Sequence, residues 1–375
     1  MKISALNLII LEDPDTQTQS LKLVEVPNLR RLQYTHVGGN HVTGKVQQKF
    51  LNVITDDGVE GICTTTMSVE SFQVLKQQVI GEDPFKREYL YQKLQKGTRW
   101  VYQPYGWFGD FDNCLWDIAG KVAGLPVHAL IGKVRDRFPA YLTGGDMPLQ
   151  GYLDQIELGR KKWGITAYKF HSYKGGKADI PILKAVRKEV GPDYVLINDP
   201  VCSYSFHEAV EVGHLMEELD FLWLEEPFHE QKMAHYQDLC RELTIPVMAN
   251  ETLMHDIGLS TQWLIHGATD LLRANARNGT TQVLRMAHFA EGFDTNVELN
   301  GHGGLFGLVH THLGCCIDNT DSYEMVGGEP RSSGLRWGMV NGPEITDGFM
   351  APPDTPGWGA EWDQKQFDRM VVQTY

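Results

Sequence analysis

The sequence is poor in basic residues and lacks metal-type cysteine pairs and long apolar runs. Its 34 Lys and Arg face 48 Asp and Glu, for a formal charge of −14. That balance argues against nucleic acid or an anionic membrane surface as a partner, because either needs a basic face. It leaves a small anionic substrate open, since one bound metal can set the local field whatever the net charge. The six cysteines contain no CxxC pair and no framework spacing. Reduced thiols and a cytoplasmic setting are therefore expected. No apolar stretch approaches the roughly 20 residues of a membrane span. The opening MKISALNLIILEDPD shows no small-residue cleavage site and reads as a first strand.

What is present describes a large folded chain. At 375 residues, 42% hydrophobic and 22% charged, it has the composition of a globular protein long enough for two domains. Residues 2–10 and 49–55 have strand patterns, DDG at 56–58 signals a turn, and VEGICTT resumes a strand. Between them lies QYTHVGGNHVTGK (33–45), whose three glycines predict a mobile loop. His36, His41 and Lys45 could reach a ligand from such a loop, which could equally be a solvated hairpin tip. From Val69 to about Leu130 the pattern turns helical. FDNCLWDIAGKVAG has apolar residues at helical spacing, and Gly124 and Pro126 close it. The aromatic group Trp100, Tyr102, Tyr105, Trp107 and Phe108 reads as inter-domain packing or a pocket wall. Residues 1–128 are thus expected to form an α+β capping domain, 129–334 a barrel, and 335–375 a segment packing back on the cap.

After residue 133 short apolar strands alternate with amphipathic helices. The strand candidates are 138–145, 167–171, 194–199, 221–226, 246–251, 270–275, 295–300 and 322–326. Eight such units without hairpin signals predict a (β/α)8-type barrel. A doubly wound open sheet is the alternative, weakened by the absence of GxGxxG after any strand.

Three of these strands end in acid: Asp199 in VLINDP, Glu225 in LWLEEP and Glu251 in VMANET. Both gaps are 26 residues, the length a strand, loop, helix and loop need to return a parallel strand to the same end of a sheet. Carboxylates converging from adjacent strands suit a hard cation such as Mg²⁺. Lys169 and His171 share a strand face by the period of two, and either could serve as a base at the barrel mouth. His302, among glycines after the seventh strand, is a candidate general acid or base. Arg273 and Asn275 share a face of the sixth strand, whereas Asp270 has the opposite parity and is expected to cap the strand start.

These residues together resemble the enolase superfamily, in its mandelate racemase branch. The resemblance is carried by the α+β cap, LWDIAGKVAGLPVHALIG, the eight βα units and the evenly spaced acidic trio. It implies one Mg²⁺ held by Asp199, Glu225 and Glu251, with substrate carboxylate oxygens completing the shell. A base then removes the α-proton, and the metal stabilises the enediolate. The family's second strand usually reads Lys-x-Lys; here it reads Lys169-Phe-His171, which puts His171 in the base position. The family's seventh-strand His is matched by His302, but Asn275 stands where its Asp partner is usual. Glu324 resembles an eighth-strand Glu that contacts the substrate carboxylate.

The expected activity is a Mg²⁺-dependent dehydratase of a sugar acid, aldonate or aldarate. His36, His41, Arg273, Asn275 and Glu324 would bind the substrate. The alternatives are a racemase or epimerase, and a metal-dependent acid-sugar binding or regulatory protein. A homo-oligomer is implied by the resemblance alone.

Overall fold

The computed structural model describes residues 1–17, 20–25, 34–39, 45–301, 303–326 and 332–375, with backbone only for 14–25, 34–39 and 332. The first unit is an antiparallel sheet with helices. Its strands are β1 (Ile3–Gln17), β2 (Ser20–Glu25), β3 (Tyr34–Gly39), β4 (Lys45–Thr55) and β5 (Glu60–Thr65). The Asp56-Asp57-Gly58 turn closes the β4–β5 hairpin, with Gly58 at φ +79° donating to Thr55 O. Helices α1 (Val69–Val79), α2 (Arg87–Val101), α3 (Gly109–Ala123) and α4 (Val127–Ile131) follow. α3 is buried along most of its length. It stops at Gly124, whose left-handed φ of 67° lets its N–H reach Gly120 O, and Pro126 blocks continuation.

One expectation fails here. Residues 34–39, anticipated as loop, form β3, paired antiparallel with β2 so that His36 lies opposite Leu23. Tyr-Thr-His-Val carries strand-favouring side chains, and the glycine pair merely ends the run. Lys45, anticipated beside a ligand, ion-pairs with Glu12 at 2.7 Å.

The second unit is a barrel of eight strands: β6 (Phe138–Gly144), β7 (Ala167–His171), β8 (Val195–Asp199), β9 (Leu224–Glu225), β10 (Val247–Ala249), β11 (Leu271–Ala274), β12 (Val297–Leu299) and β13 (Tyr323–Val326). They run in parallel order from β6 to β12, and β13 pairs with β6 on its other side. All eight fall within the predicted strands. Tyr141, Ile197, Trp223 and Met248 fill the interior as an apolar layer. Asp199 and Glu225 stand two residues beyond Ile197 and Trp223, so the same strand faces carry them one layer higher, toward the mouth.

The chain end returns to the first unit. β14 (Ile345–Thr346) and β15 (Phe349–Met350) extend the sheet beside β6, and β16 (Val371–Thr374) pairs antiparallel with β1. Trp362 and Phe367 pack on Phe50, and the Trp358 indole donates to Asn113 O at 2.9 Å. Three segments far apart in sequence therefore share one apolar core.

Candidate active site

The carboxyl ends of the barrel strands gather four buried or largely buried carboxylates around two buried cations. Lys169 Nζ on β7 lies 3.1 Å from Asp199 Oδ2, 3.0 Å from Glu225 Oε2 and 2.8 Å from Glu324 Oε1. The Arg273 Nε on β11 lies 3.1 Å from Glu225 Oε1 and 3.5 Å from Glu251 Oε2, and its Nη2 pairs with Glu324. Burial opposes the charge on Lys169, but Glu225 and Glu324 hold it well above the ordinary lysine range. Burial likewise opposes the charge on Glu324, yet Lys169 and Arg273 hold it well below the usual carboxylate range. Burial pushes Asp199 up to about 7 against the pull of Lys169. Four acids against two cations leave a surplus of two negative charges if all ionise; burial first, and the neighbouring carboxylates after it, raise Asp199 and Glu251.

His171 stands at the end of β7, partly exposed. Its Nε2 faces Asp199 Oδ2 at 3.5 Å and its Nδ1 meets the Tyr173 hydroxyl at 2.9 Å. Burial, with Lys169 adjacent, lowers its pKa to about 4, so the ring is neutral at pH 7. Asn275 lies beyond the end of β11. Its side-chain oxygen accepts from Arg277 N at 2.8 Å and its amide donates to Asn300 Oδ1 at 2.9 Å. Asn300 in turn donates to Glu251 Oε2 at 2.9 Å. Asp270, expected to cap the start of its own strand, instead accepts through Oδ2 from Val247 N at the start of the neighbouring β10.

The structure thus brings together Lys169, His171, Asp199, Glu225, Glu251, Arg273, Asn275 and Glu324. Arg273 and Glu324, anticipated at the substrate, instead pair with one another beneath the mouth. There Thr143 and the Gly301 N–H also donate to Glu324. Burying Arg273 without such partners would be prohibitive. His302 and His41 lie outside the described residues, as does the side chain of His36. Asn300 and Tyr173 were not anticipated. Each lies just past a barrel strand, Tyr173 after β7 and Asn300 after β12, where strand periodicity no longer assigns a face.

A cavity of about 530 Å³ opens between the first unit and the barrel mouth. Glu251 and Arg277 lie in its wall with Thr66, Ser68 and Tyr105. Of the aromatic group, Tyr105 and Trp107 line this cavity, Phe108 packs on Tyr91, and Trp100 and Tyr102 are exposed.

The residues fit a hard divalent cation in chemistry. The donors are carboxylate oxygens that outnumber the two cations, and Glu225 Oε1 is buried without a hydrogen-bond partner among the described residues, with the Arg273 Nε 3.1 Å away. The carboxylates converge on Lys169 and Arg273, and among the described residues no three or more acidic, His or Cys side chains are grouped so as to hold a metal ion.

A barrel capped by an antiparallel sheet, with acids at successive strand ends, defines the class. Family models then assign it. One described as enolase C-terminal domain-like matches residues 152–366, and one for the mandelate racemase / muconate lactonizing enzyme N-terminal domain matches 24–132. The chain belongs to the enolase superfamily. It is 24% identical to a D-galactonate dehydratase family member of Cellvibrio japonicus, over 84% of this chain and 89% of that one. It is 28% identical to an arabinonate dehydratase of Saccharolobus solfataricus, over 81% and 85%. It superposes on the D-glucarate dehydratase of Agrobacterium tumefaciens, crystallised with magnesium, with a TM-score of 0.83, 27% identity and full coverage of both chains. These relatives are named as dehydratases, which are hydro-lyases.

Proposed function

We propose that the protein is a Mg²⁺-dependent dehydratase of a sugar acid. The carrying observation is the set of four carboxylates at the strand ends, in charge excess over Lys169 and Arg273, beside a neutral His171. Similarity to proteins named as galactonate, arabinonate and glucarate dehydratases supports the reading.

Asp199, Glu225 and Glu251 would hold the metal, which when bound acts as a Lewis acid toward the substrate carboxylate. The chain's own residues do the proton work. In the tautomer with the proton on His171 Nδ1, that nitrogen would donate to the Tyr173 oxygen and the Nε2 lone pair would take the α-proton. The C–H electron pair forms the C=C bond, and the β C–O bond breaks. His302 is assigned, from its place in the sequence, to protonate the departing hydroxide. The resulting enol tautomerises to a 2-keto-3-deoxy acid. Lys169 stays an ammonium in its ion-pair net and positions Asp199 and Glu225, which favours His171 as the base.

The test is a screen of acid sugars for 2-keto acid formation with Mg²⁺, repeated for His171→Ala and His302→Ala. Loss of a general base or acid costs about 10²–10⁴-fold in kcat. Full activity in His171→Ala removes its assignment. Exchange of the α-proton in both epimers in D₂O without 2-keto acid makes the protein an epimerase.

A further inference from the structure

The relatives' names leave the substrate divided between acids with one carboxylate and acids with two. A feature of the cavity bears on that choice. Among its described lining residues Arg277 is the sole arginine or lysine, and Glu251 lies in the same wall. The Arg277 charge acts on Asp110 in the same lining and lowers that carboxyl against the rise that burial causes, and no closer ion pair engages the guanidinium among the described residues. Arg273, four residues earlier, is by contrast fully buried and paired with three carboxylates.

The backbone that presents Arg277 is pinned by hydrogen bonds and close packing. Asn275 Oδ1 accepts from Arg277 N at 2.8 Å, and Asn113 Nδ2 donates to Ala276 O at 2.6 Å. α3 meets this turn so closely that a Cβ on Gly109 would lie 2.3 Å from Arg277 O. The first unit thus clamps the short helix 276–278 at the edge of the cavity. A cation held this way is pre-organised for an anion, and a guanidinium suits the two oxygens of a carboxylate. Thr66, Ser68 and Tyr105 line the same space. Asp110 also lines it, and burial pushes its carboxyl up to about 7. It therefore carries only part of a charge against an arriving anion at neutral pH.

We propose that Arg277 binds the far carboxylate of the substrate, and that the substrate is an acid sugar carboxylated at both ends. The proposal rests on the acid-sugar dehydratase reading, in which the other carboxylate would meet the metal held by Asp199, Glu225 and Glu251. The cation compensates locally for a chain whose overall charge of −14 would disfavour a dianion.

The test uses two acid sugars matched at every stereocentre, one oxidised at its terminal carbon and one not. Binding to the Mg²⁺-loaded protein is measured by calorimetry, and turnover is measured separately. The wild type is expected to bind the diacid at least about 10-fold tighter, a charge-assisted contact's worth. Arg277→Gln should abolish that preference, leave monoacid binding and the ligand-free thermal midpoint unchanged, and raise KM for the diacid far more than it lowers kcat. Arg277→Lys should restore part of the preference. Equal binding of the two acids by the wild type, or equal losses for both in Arg277→Gln, overturns the proposal. A preference that depends on Arg277, without dehydration of either acid, upholds it and overturns the dehydratase reading.

Discussion

Two buried polar clusters in this molecule differ in one respect that separates chemistry from architecture. At the barrel mouth, four acids face two cations, and burial forces Asp199 and Glu251 upward. At the seam of α4, the helix Gly304–Cys316 and the C-terminal segment, two histidines sit neutral and satisfied. His312 Nδ1 accepts from His128 N at 3.1 Å and faces His128 Nδ1 at 3.2 Å, while His312 Nε2 reaches Trp358 O at 3.3 Å. The seam is closed by protein groups. At the mouth four acids outnumber the two cations, and burial disfavours ionising them all. A cluster that holds a fold together is completed from within, whereas one built for a ligand leaves something to be supplied.

The largest effect should come from unbalancing the mouth further. Arg273→Met removes the partner of Glu225, Glu251 and Glu324, and denaturant unfolding should show a loss of about 3–5 kcal/mol. Adding Glu324→Gln should recover part of it. A neutral Arg273→Met would mean that the mouth is not charge-limited.

Supplying the missing charge comes next. Mg²⁺ at about 100 times its Kd should stabilise the native state by about 2.7 kcal/mol, seen as a raised thermal midpoint that a chelator reverses. Glu225→Gln should abolish the rise, and substitutions at the seam should not. A third effect is smaller. Asn300→Ala removes the amide that orients Glu251 and should weaken Mg²⁺ binding by about 10–100-fold with little change in apo stability.

The seam should respond to protons. Burial, with His128 beside it, lowers His312 to about 3 from an ordinary 6.5. The unfolded state therefore binds the extra proton first. The stabilisation is complete above about pH 6.5 and is lost as pH falls toward 3, with a slope of up to about 1.4 kcal/mol per pH unit. In His312→Gln the stability–pH curve should flatten in that window. An unchanged slope would show that the seam carries no proton linkage.

Much of this was legible from residue patterns. The eight barrel strands show as short apolar runs, because each is buried on both faces and alternates with an amphipathic helix. Asp199, Glu225 and Glu251 stand out because strand ends recur at a fixed interval. Period two also separated Arg273 and Asn275 from Asp270. β3 was misjudged because glycine-rich sequence reads as loop when the pairing strand is unknown.

The sequence by itself determined the barrel, the cap and the acidic trio, since these follow from periodicities of 2 and 3.6 and from the length of a βα unit. Tertiary structure decided who pairs with whom. Arg273 and Glu324 are 51 residues apart, and only closure of the barrel between β6 and β13 brings them into one ion-pair net. The role proposed for Arg277 was invisible in the sequence because it depends on Gly109 and Asn113 of a distant helix holding its backbone at the cavity edge. Local sequence fixes which face a side chain takes, but the charge balance around it depends on neighbours that no local pattern contains.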